Sequence, residues 1–405
     1  MFAAAAVRRA AARYRASSSA SMAGPLPHSA VVVSNVSTFG GGGAVGFRDI
    51  LLALRKLQPD LDIVAVYPRM GNLAADCSKH GVETKIAWTP WWAFGKWRRA
   101  RGLDAFVGWL PYAAVLLPGI ANAVWLLARL QPTMVLSNTM VIPSHAIAAK
   151  FLGIPHYWIV REFGRDDHQL WFLLGYRRTV RLISRLSTRV ICNSHAVEQA
   201  MLALEPTMTT AVVYPVVETP LGTPPEREPG EPLRVVLVGY FSYAKGQHLA
   251  IKAIAIARQS GVDIGLALVG SGSQRPLRKL AQRLGVADLV SIHGPTPDLG
   301  SHWATAHVGL MCSECEAFGR VTVEAMRAGL PVCGTRSGGT PEIIDHGVNG
   351  LLSMAGDAPG LAANLMSLES DEPLRRALAT GAVETSERFQ RDRHDDELAT
   401  ILELR

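Results

Sequence analysis

Ten short apolar runs, five on each side of a proline-rich break, set the strongest limit on what this chain can fold into. The first five are AVVVS at 30–34, DIVAVY at 62–67, MVLSN at 134–138, HYWIV at 156–160 and RVICNS at 189–194. The second five are RVVLVG at 234–239, LALVGSG at 266–272, LVSIHG at 289–294, VGLMCS at 308–313 and PVCGT at 331–335. Runs this short, rich in branched residues and without clean alternation, fit parallel strands buried on both faces, with the stretches between them long enough for crossover helices. The break, PVVETPLGTPPEREPGEP at 215–232, holds six prolines and four glutamates and sustains neither a helix nor an interior strand. The expectation is an α/β chain of two doubly wound, Rossmann-like domains facing across a cleft. Its parts are a disordered or targeting leader at 1–24, an acceptor-side domain at 25–214, a linker at 215–232, a donor domain at 233–385 and a C-terminal helix at 386–405.

At 405 residues and 48% hydrophobic, the chain has material for two large cores. Its formal charge of +7 suggests nucleic acid until the leader is set aside. Residues 1–21 hold four arginines and no acid, so the remainder carries only +3, too little for a nucleic-acid surface. The leader has the Ala, Arg and Ser composition of a transit peptide, while Met22 offers an alternative start. Five scattered cysteines fit a reducing, cytoplasmic compartment better than a disulfide framework. The stretch 105–128 runs almost without charge and is long enough to cross a bilayer, though Pro111 and Pro118 interrupt it. Six of nine tryptophans fall within 88–125, beside Lys96, Arg98, Arg99 and Arg101. The readings open there are a span, docking on a membrane surface, or a buried helix pair. A basic stripe of Arg177, Arg181 and Arg185 on one helical face adds an anionic membrane surface to the candidate partners, which would place the protein on the cytoplasmic face.

The chemistry concentrates in EAFGRVTVE at 316–324. Its two glutamates would stand roughly 12 Å apart even if the whole stretch were helical, too far to share a proton. VGLMCS ends as a strand, ECEAFG is loop, and RVTVEAMRAG is a short helix closed by Gly329, so Glu316 belongs to a loop and Glu324 to a helix. The amides of Phe318, Gly319, Arg320 and Val321 gather at the helix N-terminus, where a phosphate binds well. Cys312, Cys315 and Cys333 lack a fourth ligand at zinc-finger spacing.

The order E-A-F-G-x4-E, EAMRAGLPV, SGGTPEII and HGVNGLL resembles the retaining glycosyltransferases of family 4, among the group 1 enzymes with the GT-B fold. The likeness runs from the glycine tract near 40 to the end and is strongest over 234–352. It implies that Glu316 contacts the transferred sugar, that Glu324 takes the ribose hydroxyls, and that Lys245 binds the donor diphosphate. Gly239, Tyr240 and Gly294 complete the donor set at the ends of their strands, with Gly338, Gly339 and Glu342 in a loop beside it. Where the family often has an arginine after the first glycine, this chain has Tyr240, so another residue, Arg320 or the Gly319 amides among them, must supply that charge. The resemblance implies no metal and no resident cofactor.

On the acceptor side, Gly41, Gly42 and Gly43 permit close approach of a backbone to a ligand. Family members commonly carry a histidine after GIP and its strand, but here Arg161 and Glu162 follow, as an anion contact and an acceptor ligand or as a structural ion pair. His156 reads as a strand residue rather than a base. The function expected is retaining transfer of a sugar from a nucleoside diphosphate to a hydroxyl, on a saccharide or lipid-linked acceptor such as serves polysaccharide synthesis. The alternatives are a nucleotide-sugar epimerase of the same architecture and a non-catalytic nucleotide-sugar-binding subunit. A glycosidase would need its two carboxylates flanking one bond. A dinucleotide oxidoreductase is disfavoured because no GxGxxG opens either half.

Overall fold

Strand order follows from the buried runs. The computed structural model describes residues 29–95, 109–223, 225–228, 230–296 and 298–404. The leader and the cluster of Lys96, Trp97, Arg98, Arg99 and Arg101 lie outside them.

The first unit comprises the described residues up to Tyr214 together with those from His394 onward. Its strands are β1 (Ser29–Val33), β2 (Asp62–Tyr67), β3 (Glu83–Ile86), β4 (Ala93–Gly95), β5 (Met134–Ser137), β6 (His156–Val160), β7 (Leu170–Phe172), β8 (Arg189–Cys192) and β9 (Thr210–Val212). Seven of these form a parallel sheet in the order β3-β2-β1-β5-β6-β8-β9, and β4 pairs antiparallel with β7 beside it. The order reverses between β1 and β5, so the crevice for a ligand lies beyond their carboxyl ends. The helix Gly42–Leu57 shows why the layer holds: Ala44, Phe47, Ile50, Leu51 and Leu54 form one buried face, and Arg55 and Lys56 sit in its last turn.

The second unit runs from Pro215 to Arg393. Its strands β10 (Leu233–Val238), β11 (Ile264–Val269), β12 (Val290–His293), β13 (Val308–Met311), β14 (Val332–Thr335) and β15 (Gly350–Ser353) form a parallel sheet in the order β12-β11-β10-β13-β14-β15. Here the reversal falls between β10 and β13.

The helix Trp109–Leu130 is not a membrane span, and among the described residues no helix is long and apolar enough to be one. The physical reason is that one side of it is core: Ala123, Val124, Leu126 and Leu127 are buried in the first unit. The tryptophans divide the same way. Trp92 is buried, stacked on Trp158 and bonded to the Met140 carbonyl, whereas Trp88, Trp91 and Trp125 are exposed. The C-terminal helix, Arg391–Ile401, returns to the first unit, placing Leu398, Ile401 and Leu402 in the core with Ile50 and Leu54. No local signal in the sequence announces that return.

Candidate active site

Two loops meet at the β10/β13 reversal of the second unit. The β10 loop turns through a 3-10 segment, Tyr243–Lys245, and ends at Gly246 in the left-handed region. A Cβ at Gly246 would lie 1.9 Å from the Cys312 carbonyl oxygen, so only glycine lets this loop rest against the end of β13. The Glu314 amide then donates to the Ala244 carbonyl across the junction at 3.0 Å. This packing brings Lys245 Nζ to 2.6 Å from Glu316 Oε2. The ammonium is about a third exposed and the carboxylate largely covered, so the pair is screened on one side only. Ser313 Oγ donates to the same Oε2 at 2.9 Å. Among the described residues nothing donates to Glu316 Oε1.

The SGG loop after β14 holds the backbone of this carboxylate. The Gly339 amide donates to the Glu316 carbonyl at 2.7 Å, and a Cβ at Gly338 would lie 2.2 Å from that carbonyl oxygen. Glu342 follows in the short helix Thr340–Ile343, its amide bonded to the Gly339 carbonyl.

Glu324 sits in the helix Arg320–Arg327, which begins after Gly319 in the left-handed region and has no side-chain cap. Burial pushes the Glu324 carboxyl above the usual carboxylate range, with Arg320 acting weakly the other way. None of the described residues hydrogen-bonds this carboxylate. The residue is only partly buried, so water can reach the carboxylate, and two vicinal hydroxyls of a ligand could take that water's place.

Other members of the expected donor set are placed differently. Arg320 Nη1 donates to the Val216 carbonyl, drawing that guanidinium toward the linker. The Phe318 ring is buried, edge-on to Phe389 with centroids 5.2 Å apart, so its amide rather than its ring is the candidate contact. Val321 is half-buried in the first turn of the helix. Gly239 and Gly270 pass so closely that a Cβ on Gly270 would meet the Gly239 carbonyl at 1.9 Å. Tyr240, next to them, is 61% exposed. Gly294 stands in open space beyond β12, beside the adjacent rings of His293 and His302. Sequence reading missed Ser313 and Thr335, whose hydroxyl donates to the Ser313 carbonyl at 2.6 Å. The only sequence signal was the position of Ser313, three residues before Glu316 in the same loop.

The first unit handles its charges differently. Gly41, Gly42 and Gly43 lead into the helix Gly42–Leu57 without a side-chain cap, and a Cβ at Gly41 or Gly43 would touch nothing within 4 Å. Close approach occurs instead at Gly46, whose carbonyl accepts from Arg161 Nη2 at 3.0 Å. Arg161 Nε also donates to Asn138 Oδ1, and Asn138 Nδ2 donates to the Gly43 carbonyl. Arg161 therefore braces the glycine tract. Glu162 accepts from Thr139 Oγ1 at 2.7 Å and from the amides of Met140 and Arg161, which ties the β5 and β6 loops together. Its carboxyl is raised by burial, only partly offset by those bonds. These bonds make Glu162 a clamp between the two loops. His156 is buried with Nε2 3.0 Å from Ser137 Oγ, and burial pushes it down to about 3 and the neighbouring His145 down to about 4.

Residues 223–385 match the model of glycosyl transferases group 1. Over 142 residues the chain is 37% identical to N-acetyl-alpha-D-glucosaminyl L-malate synthase of Bacillus anthracis, covering 35% of this chain and 37% of that protein. Over 215 residues it is 34% identical to the lipopolysaccharide core biosynthesis glycosyltransferase LpsE of Rhizobium meliloti, covering 52% and 54%. The chain thus spans about half or less of the length of these relatives. Among solved structures, Anabaena HepE in complex with UDP and glucose superposes with a TM-score of 0.72 at 21% identity, over 93% of this chain and 99% of that one.

Proposed function

We infer, from a chain whose residues 223–385 belong to the group 1 glycosyl transferases and whose two units have the GT-B fold, that it transfers a sugar from a nucleoside diphosphate to a hydroxyl acceptor. The observation that carries this reading is the Lys245–Glu316 pair at the β10/β13 reversal, followed in the next helix by Glu324, whose carboxylate takes no hydrogen bond from the described residues. Lys245 and the amides following Gly319 receive the diphosphate, Glu324 accepts from the ribose hydroxyls, and Glu316 orients the sugar.

Retention follows from attack on the face that the leaving group departs. The bond from the anomeric carbon to the phosphate oxygen breaks, the acceptor oxygen bonds to that carbon on the same side, and the acceptor proton passes to the phosphate. Such a route needs no protein base, and among the described residues no histidine hydrogen-bonds Lys245 or Glu316. Lys245 supplies the fixed positive charge that a metal ion would otherwise bring to the leaving phosphate. UDP is the first donor nucleotide to try, because HepE was solved with UDP and glucose. A saccharide acceptor is the first to try, given the lipopolysaccharide core role in the name of LpsE.

A lipid-linked acceptor at an anionic membrane surface is the second reading. It is favoured by the helix Trp109–Leu130, which exposes Leu117 and Trp125 and sets the Arg129 guanidinium 5.5 Å from the Trp125 ring. Vesicles of phosphatidylserine and phosphatidylcholine should pellet the protein, and its staying in the supernatant ends this reading. For the activity itself, purified protein is incubated with nucleotide sugars and a panel of saccharide and lipid acceptors. Product that requires acceptor supports transfer. Isomerised donor without acceptor would instead mark an epimerase, and binding without turnover a donor-binding subunit.

A further inference from the structure

The two oxygens of Glu316 are not equivalent. Oε2 receives both the Lys245 ammonium at 2.6 Å and the Ser313 hydroxyl at 2.9 Å, while none of the described residues donates to Oε1. Two donors on one oxygen fix the plane of a carboxylate, and the other oxygen then points in one direction. Ser313 is itself held: it is 1% exposed, and its carbonyl accepts from Thr335 Oγ1 within the buried end of β14. The arrangement runs from a strand end, through a buried hydroxyl, to the acid that faces the ligand. Lys245 alone would not supply it. Its flexible stem follows whatever anion is present, and a diphosphate entering the site competes with Glu316 for the ammonium. Ser313 is the donor that stays in place when that happens.

We propose that Ser313 is a positioning residue for the donor sugar: its hydroxyl holds Oε2 of Glu316 so that Oε1 accepts a hydrogen bond from a hydroxyl of the sugar. The inference rests on the nucleotide-sugar reading above and adds the device by which the sugar, as distinct from the nucleotide, is held. No bond to the sugar forms or breaks through Ser313.

The test separates the sugar from the nucleotide. Calorimetry measures binding of UDP and of UDP-glucose, with GDP and GDP-mannose and with ADP and ADP-glucose run beside them, to the wild type, Ser313→Ala, Glu316→Gln and the double variant. The expected result is that the sugar conjugate of one pair binds wild type more tightly than its nucleoside diphosphate. Ser313→Ala should reduce that gain by about tenfold, the worth of one hydrogen bond to a charged group, without changing nucleoside diphosphate binding. In the Glu316→Gln background the serine change should have less effect, because the amide that Ser313 can still hold no longer offers the sugar a carboxylate oxygen. Equal weakening of the nucleoside diphosphate by Ser313→Ala would show a loosened loop and overturn the proposal. So would an undiminished serine effect in the Glu316→Gln background, or a sugar conjugate that binds no better than its nucleoside diphosphate. Wild type that binds none of the six compounds would take the nucleotide-sugar reading down first, an outcome distinct from all of these.

Discussion

The loops at the carboxyl ends of the two sheets carry similar residues and use them in opposite ways. In the second unit none of the described residues donates to the Glu324 carboxylate or to Glu316 Oε1, so acceptor capacity is left over. In the first unit the carboxylate of Glu162 is filled by Thr139, Met140 and Arg161, and the Arg161 guanidinium is turned onto Asn138 and Gly46. One edge leaves hydrogen-bonding capacity open, and the other uses it up. Charge type alone does not tell a binding residue from a brace; the remaining hydrogen-bonding capacity does.

The largest expected effect tests the open edge. Glu316→Gln should lower transfer by roughly a thousandfold in a radiolabelled-sugar assay while nucleoside diphosphate binding persists. Near-normal turnover would break the contrast at once. Next comes the interior of the first unit, where His145 and His156 are buried with folded values of about 4 and about 3, against 6.5 for an ordinary histidine. Because the unfolded chain takes up these protons first, their contribution to stability is complete above about pH 6.5 and declines as pH falls toward the folded values. Each should cost roughly 2 kcal/mol by pH 5. Among the described residues the second unit also has two histidines lowered mainly by burial, His307 to about 4 and His248. Scanning calorimetry from pH 7 to pH 5 should therefore show both units losing stability, with His156→Gln flattening the slope of the first alone. A slope that His156→Gln leaves unchanged would contradict this.

Lys245→Ala should weaken nucleoside diphosphate binding about thirtyfold, the loss of a charge-assisted contact in a partly exposed site. Unchanged binding in a titration would remove Lys245 from the phosphate site. The smallest effect is expected from Tyr240→Arg, which adds a cation at an exposed position beside Gly239 and should tighten nucleoside diphosphate binding a few-fold at low salt. No change there would mean that the Tyr240 position does not face the phosphates.

Much of this was readable in the chain. Strands such as Asp62–Tyr67 and His156–Val160 are continuous apolar runs, and burial on both faces leaves them little choice. Glu83–Ile86 escaped because it is a polar edge strand only partly covered, and Thr210–Val212 because it is three residues long. That Glu316 lies in a loop and Glu324 in the helix after it was legible because the stretch 316–324 joins the end of one strand to a short helix. The bond from Ser313 to Glu316 was not, since it depends on how Gly246 seats one loop against another strand. Arg161 was ambiguous for a similar reason: the groups that claim it, Asn138 and Gly46, are 23 and 115 residues away.

The path of the C-terminal helix bears on how the molecule comes into being. Leu398, Ile401 and Leu402 fill the core of the first unit, yet they leave the ribosome after everything in the second unit has been made. The 215–393 segment is synthesised whole before these three side chains are made, so the domain begun first waits on residues that follow the second. A stop codon placed just before Leu398 would strip three side chains worth roughly 2 kcal/mol each from that earlier domain and leave the later one whole.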